Sequence, residues 1–441
     1  MKAYIIAVDM GYGHQRAAYP LKILAGDKKI INANKYAGIP ANDKKIWNQS
    51  REAYEFFSRF KKIPILGELA WDLFDKFQTI EPFYPKRDLT DPTIQLKSTY
   101  SLIKNKRWGE HLIKKLAQKP LPIICTFFIP AFMAEVFHYP GEIYCLATDT
   151  DISRAWAPLN PSSSRIKYLA PNHRVKERLK LYGIKEQNIF VTGFPLPQEL
   201  VGKKESITKK DLGQRLFNLD PQQTYLKKYQ ETIIRHIGAK NFPKKKHHPL
   251  TLMFAVGGAA AQKELGIEIA KSLKDKIKEN KIRLVLVAGI HNDVSVYFRE
   301  ELKEIGLAQQ INKNIEIISS PTKEDYFRKF NQMLHQTDIL WTKPSELSFY
   351  TALGLPIIMS EPIGSQELFN RKWLRTVGSA VNQENPRYTN EWLFDWLDSG
   401  WFAEAAMQGF LEATTTGTKN ITKVVCEKCL EKTPIKTVLQ Y

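Results

Sequence analysis

The stretch AYIIAVDMGYGHQRAA at residues 3–18 decides the fold class. Residues 3–8 form an apolar run, which is typical of a strand buried on both faces of a parallel sheet. The run leads into a glycine-containing turn and then into good helix formers. A second start of this kind begins at Leu250–Val256, passes through GGAAAQ at 257–262 and continues as a helix to about Lys274. Two such starts about half a chain apart predict two doubly wound α/β domains in tandem.

Short apolar runs alternate with helical segments along most of the chain, which is the rhythm of a parallel sheet. Residues 47–119 are predicted to be helical, and one or two amphipathic helices are expected at Leu393–Leu411. The further predicted strands are Leu121–Thr126, Glu142–Ala147, Ile189–Thr192, Arg283–Ala288, Ile315–Ile318, Asp338–Trp341 and Pro356–Met359.

These elements predict four parts of the chain. Residues 1–200 form a first Rossmann-like domain, and 201–248 form a basic linker or insert. Residues 249–390 form a second Rossmann-like domain. Residues 391–441 contain C-terminal helices that pack back on the first domain, followed by a tail.

The chain is strongly basic for its size. Its 441 residues contain 65 Lys and Arg against 46 Asp and Glu, a formal charge of +19. Residues 201–250 alone hold 12 Lys and Arg against 4 Asp and Glu. Such a surplus favours an anionic partner, which leaves nucleic acid, an anionic membrane surface and a phosphorylated ligand open. A hydrophobic fraction of 43% excludes global disorder.

The compartment is predicted from cysteines and apolar segments. Four cysteines are too few for a disulfide framework. We find no leader with a cleavage site and no apolar run of about 18 residues. The expected location is therefore the cytoplasm, including a peripheral position on the inner face of the plasma membrane.

The first glycine turn carries the candidate catalytic histidine. Gly11 and Gly13 let the backbone turn tightly and approach a ligand, and the N–H groups that open the helix attract an anion. His14 lies at the mouth of this loop, where an imidazole can take a proton from a hydroxyl near neutral pH. A tight turn with a solvated histidine is the alternative interpretation.

Two polar clusters follow two consecutive predicted strands of the second domain. The first, TKPSE, occupies residues 342–346, and the second, GSQELFN, occupies residues 364–370. Carboxyl ends of parallel strands are where doubly wound folds bind ligands. Carboxylate and amide groups in these clusters suit the hydroxyls of sugar and ribose. Taken singly, these polar residues would be explained as helix caps or as parts of surface loops. The prediction depends on the two clusters lying on adjacent loops.

These motifs, in this order, resemble the MurG-like and monogalactosyldiacylglycerol-synthase-like glycosyltransferases, which have the GT-B fold. The similarity covers most of the chain. The chain departs from these families where Ser345-Glu346 follows Lys343-Pro344 directly, in place of Gly-Gly. The matching segments are Gly11–His14 with Arg16–Ala18, Thr148-Asp149, Val191–Pro197, Gly257-Gly258, Val287–Gly289, Asp338–Pro344 and Gly364–Asn370.

The resemblance implies two doubly wound domains that face a cleft, and a nucleotide-sugar-dependent glycosyltransferase. The expected donor is a UDP-sugar, from which a hexose or N-acetylhexosamine moves to an acceptor hydroxyl, lipid-linked in this prediction, by inverting displacement. His14 is the first candidate base and Asp149 the second, Gly11 and Gly13 form the acceptor and phosphate loop, and Glu346 holds the ribose. The residues assigned to the donor are Gly257, Gly258, Lys343, Ser345, Glu346, Gly364, Ser365, Gln366, Glu367 and Asn370.

No cofactor and no metal are predicted. Asp149-Thr150-Asp151 matches the metal signature of the GT-A fold, but the order of the other motifs favours GT-B and a cleft role for Asp149. Cys426 and Cys429 form only half of a zinc site, and His247-His248 lacks acidic or cysteine neighbours. We therefore expect a metal-independent enzyme.

The aromatic and basic residues of 51–119 leave two interpretations open. They form either an ordinary helical core or a surface that docks on anionic lipid. The aromatics concerned are Tyr54, Phe56, Phe57, Phe60, Trp71, Phe74 and Phe77.

Three alternatives to glycosyl transfer also stay open. A non-hydrolysing sugar-nucleotide epimerase would bind the same donor without an acceptor. A non-catalytic GT-B-like protein would bind lipid or a partner protein. Nucleic-acid binding has only the net charge in its favour, and we predict no specific nucleic-acid partner.

Overall fold

A computed structural model describes residues 2–60, 79–257, 262–362 and 364–427 of the chain. It divides into two compact units. Unit 1 comprises Met1–Leu196, Pro362–Asn370 and Thr416–Tyr441. Unit 2 comprises Pro197–Glu361 and Arg371–Thr415.

Unit 1 contains a six-stranded parallel sheet with the strand order β2-β1-β3-β4-β5-β6. Because β1 pairs with both β2 and β3, the direction in which the chain adds strands reverses between β1 and β3. Ligands of doubly wound sheets bind beside the carboxyl ends of the strands at such a reversal. The strands are β1 (Ala3–Ala7), β2 (Ala25–Asn32), β3 (Ile123–Cys125), β4 (Ile143–Leu146), β5 (Lys167–Ala170) and β6 (Ile189–Val191).

Unit 2 contains a second six-stranded parallel sheet, with the order β12-β11-β10-β7-β8-β9. Counted from β7 along the chain, this is the Rossmann order 3-2-1-4-5-6 viewed from the other edge. The reversal lies between β7 and β10, which are hydrogen-bonded neighbours. The strands are β7 (Thr251–Ala255), β8 (Arg283–Gly289), β9 (Ile315–Ser319), β10 (Ile339–Thr342), β11 (Ile357–Met359) and β12 (Ala380–Asn382).

Helices follow most strands and connect the parallel neighbours. Those of unit 1 include Gly13–Ala18, Ala41–Phe60, Ile94–Asn105, Glu110–Ala117, Phe128–Val136, His173–Leu181 and Gly417–Glu427. Those of unit 2 include Gln198–Val201, Ser206–Leu219, Thr224–Lys228, Gln230–Ile237, Lys263–Ser272, Lys274–Lys278, Asn292–Glu304, Lys323–Leu334, Thr389–Asp398 and Trp401–Glu412. Helix Ser365–Val377 has residues grouped with each unit.

The central strands are buried on both faces, which explains their continuous apolar sequences. Ile5 and Ile6 on β1 are completely buried, although they point to opposite faces of the sheet. Leu252 and Met253 on β7 are likewise completely buried. Each sheet therefore lies inside its unit and exposes mainly its edges and strand ends, which is where polar side chains are available to a ligand.

The predicted α/β class with two doubly wound parallel sheets is confirmed. Three strands escaped prediction, and the edge strand β2 shows why, because its sequence AGDKKIIN is too polar to resemble a buried strand. The helical prediction for 47–119 is wrong over residues 79–93, which form no helix before Ile94–Asn105 begins.

Residues 201–248, which we predicted as a basic linker or insert, are largely helical and belong to unit 2. Leu212, Leu216 and Leu219 from this segment are completely buried in the core of that unit. Its basic side chains are mostly exposed. In the described residues we find no helix long and apolar enough to span a membrane.

Candidate functional site

The first glycine loop connects β1 to the short helix Gly13–Ala18. Gly11 has a φ of +108°, a conformation that side-chain-bearing residues rarely adopt, so this position favours glycine. The loop is tied to the next segment because Asp9 N donates to Asn34 Oδ1 at 2.8 Å. These constraints fix the half-buried His14 in the first turn of the helix, beside the carboxyl end of β1.

His14 is held by the residue that follows β3. Its Nδ1 lies 2.7 Å from the carbonyl oxygen of Thr126, and the Thr126 hydroxyl donates back to the carbonyl of His14 at 3.0 Å. A carbonyl can only accept, so Nδ1 carries the hydrogen, and Nε2 is the acceptor of the neutral ring. The structure therefore places His14 at the strand reversal of unit 1, and the neutral ring carries its hydrogen on Nδ1.

Asp149 lies on the loop after β4 and contacts Asn370. The Asn370 Nδ2 donates to Asp149 Oδ1 at 3.0 Å. The Asn370 Oδ1 accepts from both the backbone N–H and the hydroxyl of Thr150, each at 2.9 Å. Asn370 is completely buried, so its amide serves this loop. Sequence reasoning assigned Asn370 to the donor and did not anticipate that it orients a candidate base.

The second aspartate of the Asp149-Thr150-Asp151 motif has a structural partner. Arg178 donates to both carboxylate oxygens of Asp151, at 2.9 Å each, and both side chains are buried. Such a bidentate pair fixes the loop and occupies the carboxylate. Within the described ranges, no group of three or more His, Cys, Asp or Glu side chains is arranged to hold a metal ion.

In unit 2 the structure brings Gly257 and Lys343 together. Gly257 lies just beyond β7, and Lys343 lies just beyond the neighbouring strand β10. A Cβ atom added at Gly257 would lie 2.5 Å from Lys343 Cε, so the lysine side chain passes over this glycine. A cationic side chain therefore lies at the strand reversal of unit 2. Gly258, the other glycine of the loop, is outside the described residues.

Gln262 joins the glycine loop to the loop after β11. The Ser360 hydroxyl hydrogen-bonds Gln262 Oε1 at 2.8 Å, and Gln262 Nε2 donates to the carbonyl of Glu361 at 3.1 Å. Sequence reasoning missed this connection because it joins positions about 100 residues apart. Ser345 and Glu346 follow Lys343 and are half-buried, with Glu346 opening the 3₁₀ helix Glu346–Leu353.

The remaining predicted donor residues lie in the segment that is grouped with unit 1. Gly364 precedes helix Ser365–Val377, and the backbone N–H of Glu367 donates to its carbonyl at 3.1 Å. Glu367 is buried, whereas Gln366 is half-buried and packs close to Gly364. The side chain of Ser365 is not among those described. The predicted donor set is therefore divided between the units, with Gly257, Lys343, Ser345 and Glu346 in unit 2.

Other predicted features fall partly or wholly outside the described residues. This applies to Cys429 and to the side chains of the aromatic set between Tyr54 and Phe77. Cys426 is half-buried and forms no disulfide with another described cysteine.

Comparison with known proteins gives one family match and one distant relative. Residues 239–380 match a domain of unknown function (DUF6938). Over 322 residues the chain is 22% identical to the processive diacylglycerol beta-glucosyltransferase of Bacillus subtilis (strain 168), covering 72% of this chain and 67% of the relative. This similarity agrees with the glycosyltransferase resemblance that the motifs carry.

Solved structures give weaker similarities. A UDP co-structure of MnaA from S. aureus aligns over 83% of this chain and 87% of its own, with 14% identity and a TM-score of 0.45. WaaG, a glycosyltransferase involved in lipopolysaccharide biosynthesis, aligns over 73% of this chain and 81% of its own, with 12% identity and a TM-score of 0.39.

Proposed function

We propose that the protein is a glycosyltransferase that moves a hexose or N-acetylhexosamine from a UDP-sugar to an acceptor hydroxyl with inversion at the anomeric carbon. One observation carries this proposal. Each sheet places chemistry-bearing residues at its own strand reversal, His14 in unit 1 and Gly257 with Lys343 in unit 2. Doubly wound sheets bind ligands at these positions.

The arrangement in unit 1 supports a base. The Thr126 carbonyl keeps the hydrogen of neutral His14 on Nδ1, so Nε2 can receive the proton of an acceptor hydroxyl. Asp149 is the second candidate base, and Asn370 and Thr150 fix its loop. A solvated histidine in a tight surface turn would not require the hydrogen bonds that hold His14 to Thr126.

The arrangement in unit 2 supports a diphosphate. Lys343 supplies a positive charge, and Gly257 gives the lysine side chain room to lie across the end of β7. Lys and backbone N–H groups at a helix entrance stabilise the charge that develops on a leaving phosphate. We assign the ribose to Glu346, two residues beyond Pro344, because a carboxylate accepts hydrogen bonds from hydroxyls.

The proposed reaction is a single displacement. The acceptor oxygen attacks the anomeric carbon, and the bond from that carbon to the β-phosphate oxygen breaks with its electron pair on the phosphate. His14 Nε2 takes the proton of the acceptor hydroxyl. The products are a glycoside of inverted configuration and UDP. The name of the B. subtilis relative supports a diacylglycerol-type acceptor.

Donor binding is tested by thermal shift with UDP, GDP, ADP, TDP and CDP, each with and without magnesium. A ligand present at 100 times its dissociation constant adds about 2.7 kcal/mol of stability. We expect UDP to stabilise the protein, and we expect Lys343→Ala to raise the dissociation constant of UDP at least tenfold. Lys271→Ala, which removes an exposed lysine of the same unit, is the control. If no nucleotide stabilises the protein, the donor assignment is wrong.

Transfer is tested with UDP-glucose and UDP-N-acetylglucosamine, with UDP release and glycoside formation both measured. We expect His14→Ala to lower kcat by a factor of about 10² to 10⁴, with little effect on nucleotide affinity. His138→Asn, which alters an exposed histidine of unit 1, is the control. Incubation without acceptor separates the proposal from an epimerase. Under that condition only an epimerase changes the configuration of the sugar in the donor.

A further inference from the structure

A series of hydrogen bonds joins the carboxyl ends of three neighbouring strands of unit 2. The Thr342 hydroxyl, at the end of β10, donates to the carbonyl of Ala255 on β7 at 3.3 Å. The backbone N–H of Ser360, just after β11, donates to the carbonyl of Thr342 at 3.1 Å. The Ser360 hydroxyl then donates to Gln262 Oε1 at 2.8 Å. The series therefore connects the strand before the glycine loop with the residue at the far end of that loop.

Ser360 is the residue on which two of these bonds depend. It is only 1% exposed, and a buried hydroxyl is costly to leave without a partner. Its backbone is bonded to Thr342, which directly precedes Lys343, and its side chain is bonded to Gln262. Ser360 therefore fixes the strand end that carries the lysine relative to the end of the glycine loop.

Gln262 has a backbone conformation that its side chain helps to hold. Its φ is +66°, which is strained for a residue with a side chain. It precedes helix Lys263–Ser272, where a side chain commonly caps the first N–H groups. In the described part of the chain this side chain makes no such cap, and its Nε2 donates instead to the carbonyl of Glu361 at 3.1 Å. Both ends of the amide therefore bind the loop after β11.

We propose that Gln262 and Ser360 are positioning residues for the diphosphate of the donor. This inference rests on the proposed function and adds the two residues that hold the glycine loop and Lys343 in place for the phosphates. A loop that becomes ordered only when the ligand binds loses affinity through conformational entropy, whereas a loop fixed beforehand does not. Gln262 acts through the glycine loop, and Ser360 acts through Gln262 and Thr342.

A positioning role differs from a merely structural one in the ligands that it affects. The glycine loop and Lys343 are the proposed diphosphate site, so loosening them should weaken ligands with two phosphates more than a ligand with one. Loss of a general structural support should instead lower Tm and weaken every ligand alike. The ratio of the dissociation constants of UDP and UMP therefore separates the two roles, and inorganic pyrophosphate tests the phosphate site without a nucleoside.

The test is calorimetry with UDP, UMP and pyrophosphate on the wild type, Gln262→Gly, Ser360→Ala and the double variant. Glycine adopts a positive φ readily, so Gln262→Gly removes the amide and keeps the backbone. We expect each single variant to raise the Kd of UDP and of pyrophosphate about tenfold, the scale of one lost hydrogen bond, and that of UMP by less than about threefold. The double variant should stay well short of the roughly hundredfold loss that independent effects would give. Tm should fall by no more than a few degrees.

Two substitutions elsewhere in unit 2 are matched controls. Ser272→Ala removes a hydroxyl that donates to Asn390 Oδ1 at 2.9 Å, and Gln222→Ala removes an exposed amide near Asp398. Each should change the Kd of UDP by less than about twofold.

The outcomes separate this inference from the proposed function. If the wild type binds UDP and the variants bind it equally well, or lose UDP and UMP to the same extent, the positioning role is refuted while donor binding stands. If the wild type binds pyrophosphate but no nucleotide, the proposed function fails, and a tenfold loss of pyrophosphate binding in Gln262→Gly still supports the positioning role. If the wild type binds none of the three ligands, both are wrong.

Discussion

Asp338, at the opposite end of β10 from Lys343, allows a quantitative test of the structure of unit 2. Its carboxyl group is completely buried. The Oδ2 atom accepts from Thr251 N at 2.8 Å and from Asn218 Nδ2 at 3.1 Å. Burial raises the pKa of Asp338 to about 8, and these hydrogen bonds and the nearby Arg215 only partly oppose the effect. The perturbation that we consider is Asp338→Asn, which keeps the shape and cannot ionise.

The sign of the effect follows from the pKa difference. An unfolded aspartate ionises near pH 4, whereas folded Asp338 keeps its proton up to its pKa of about 8. Between these values the folded state binds one more proton than the unfolded state, so stability falls as pH rises. The slope is about 1.4 kcal/mol per pH unit, which gives roughly 3 kcal/mol between pH 5 and pH 7. This is the reverse of the usual behaviour of an ion-paired aspartate.

The assay is urea denaturation of the wild type and Asp338→Asn at pH 5, 6, 7 and 8. We expect the wild type to lose about 3 kcal/mol more than the variant between pH 5 and pH 7. The neighbouring His248 lies 3.7 Å from Asp338 Oδ2, and burial lowers its pKa. The proteins with and without Asp338→Asn are therefore also compared in a His248→Gln background. Equal pH dependence in all backgrounds would mean that Asp338 ionises normally, and the buried environment described above would be refuted.

Three further predictions concern the candidate sites. Asn370→Asp places a second carboxylate about 3 Å from Asp149, a repulsion of roughly 5–6 kcal/mol at an effective dielectric constant of 20. The Tm of this variant should therefore fall more at pH 8 than at pH 5, and an equal fall at both values would contradict the contact. Arg178→Met leaves Asp151 buried without its partner and should lower the free energy of unfolding in urea by about 3–5 kcal/mol. A loss below about 1 kcal/mol would show that the pair is not desolvated. Gly257→Ala forces the Lys343 side chain to move, so it should weaken UDP binding measured by calorimetry without lowering Tm by more than a few degrees. An unchanged UDP affinity would mean that this glycine is not part of the donor site.

Local sequence patterns were sufficient for most of the buried strands, although the interior strand β5 was missed, and for the turn at Gly11. A short apolar run such as that of β1 favours a buried strand. A glycine that follows such a run predicts a turn, and Gly11 has the positive φ that such a turn requires. The prediction failed for β2 because an edge strand can be polar and still pair. The prediction for residues 79–93 failed because a mean helical tendency over a long window does not show where the helix is interrupted.

The site was harder to predict, because its decisive contacts join residues that are distant in the sequence. His14 could be nominated from its loop, but the tautomer depends on the Thr126 carbonyl, 112 residues away. The contact of Asn370 with Asp149 spans 221 residues and has no local signal.

Strand order determines which residues meet at the reversal of each sheet. In unit 1 the strands that diverge at the reversal are β1 and β3, so the residues that meet there come from the loops carrying His14 and Thr126. In unit 2 they are β7 and β10, so a glycine meets Lys343. The first reversal therefore carries an imidazole, and the second carries a lysine side chain lying over a glycine. The net charge of +19 predicts neither arrangement, because it does not say where on the molecule the charges lie. The proposed glycosyl transfer therefore depends on these two positions. Substitutions at His14 and Lys343 should impair different steps, proton transfer at the first and donor binding at the second.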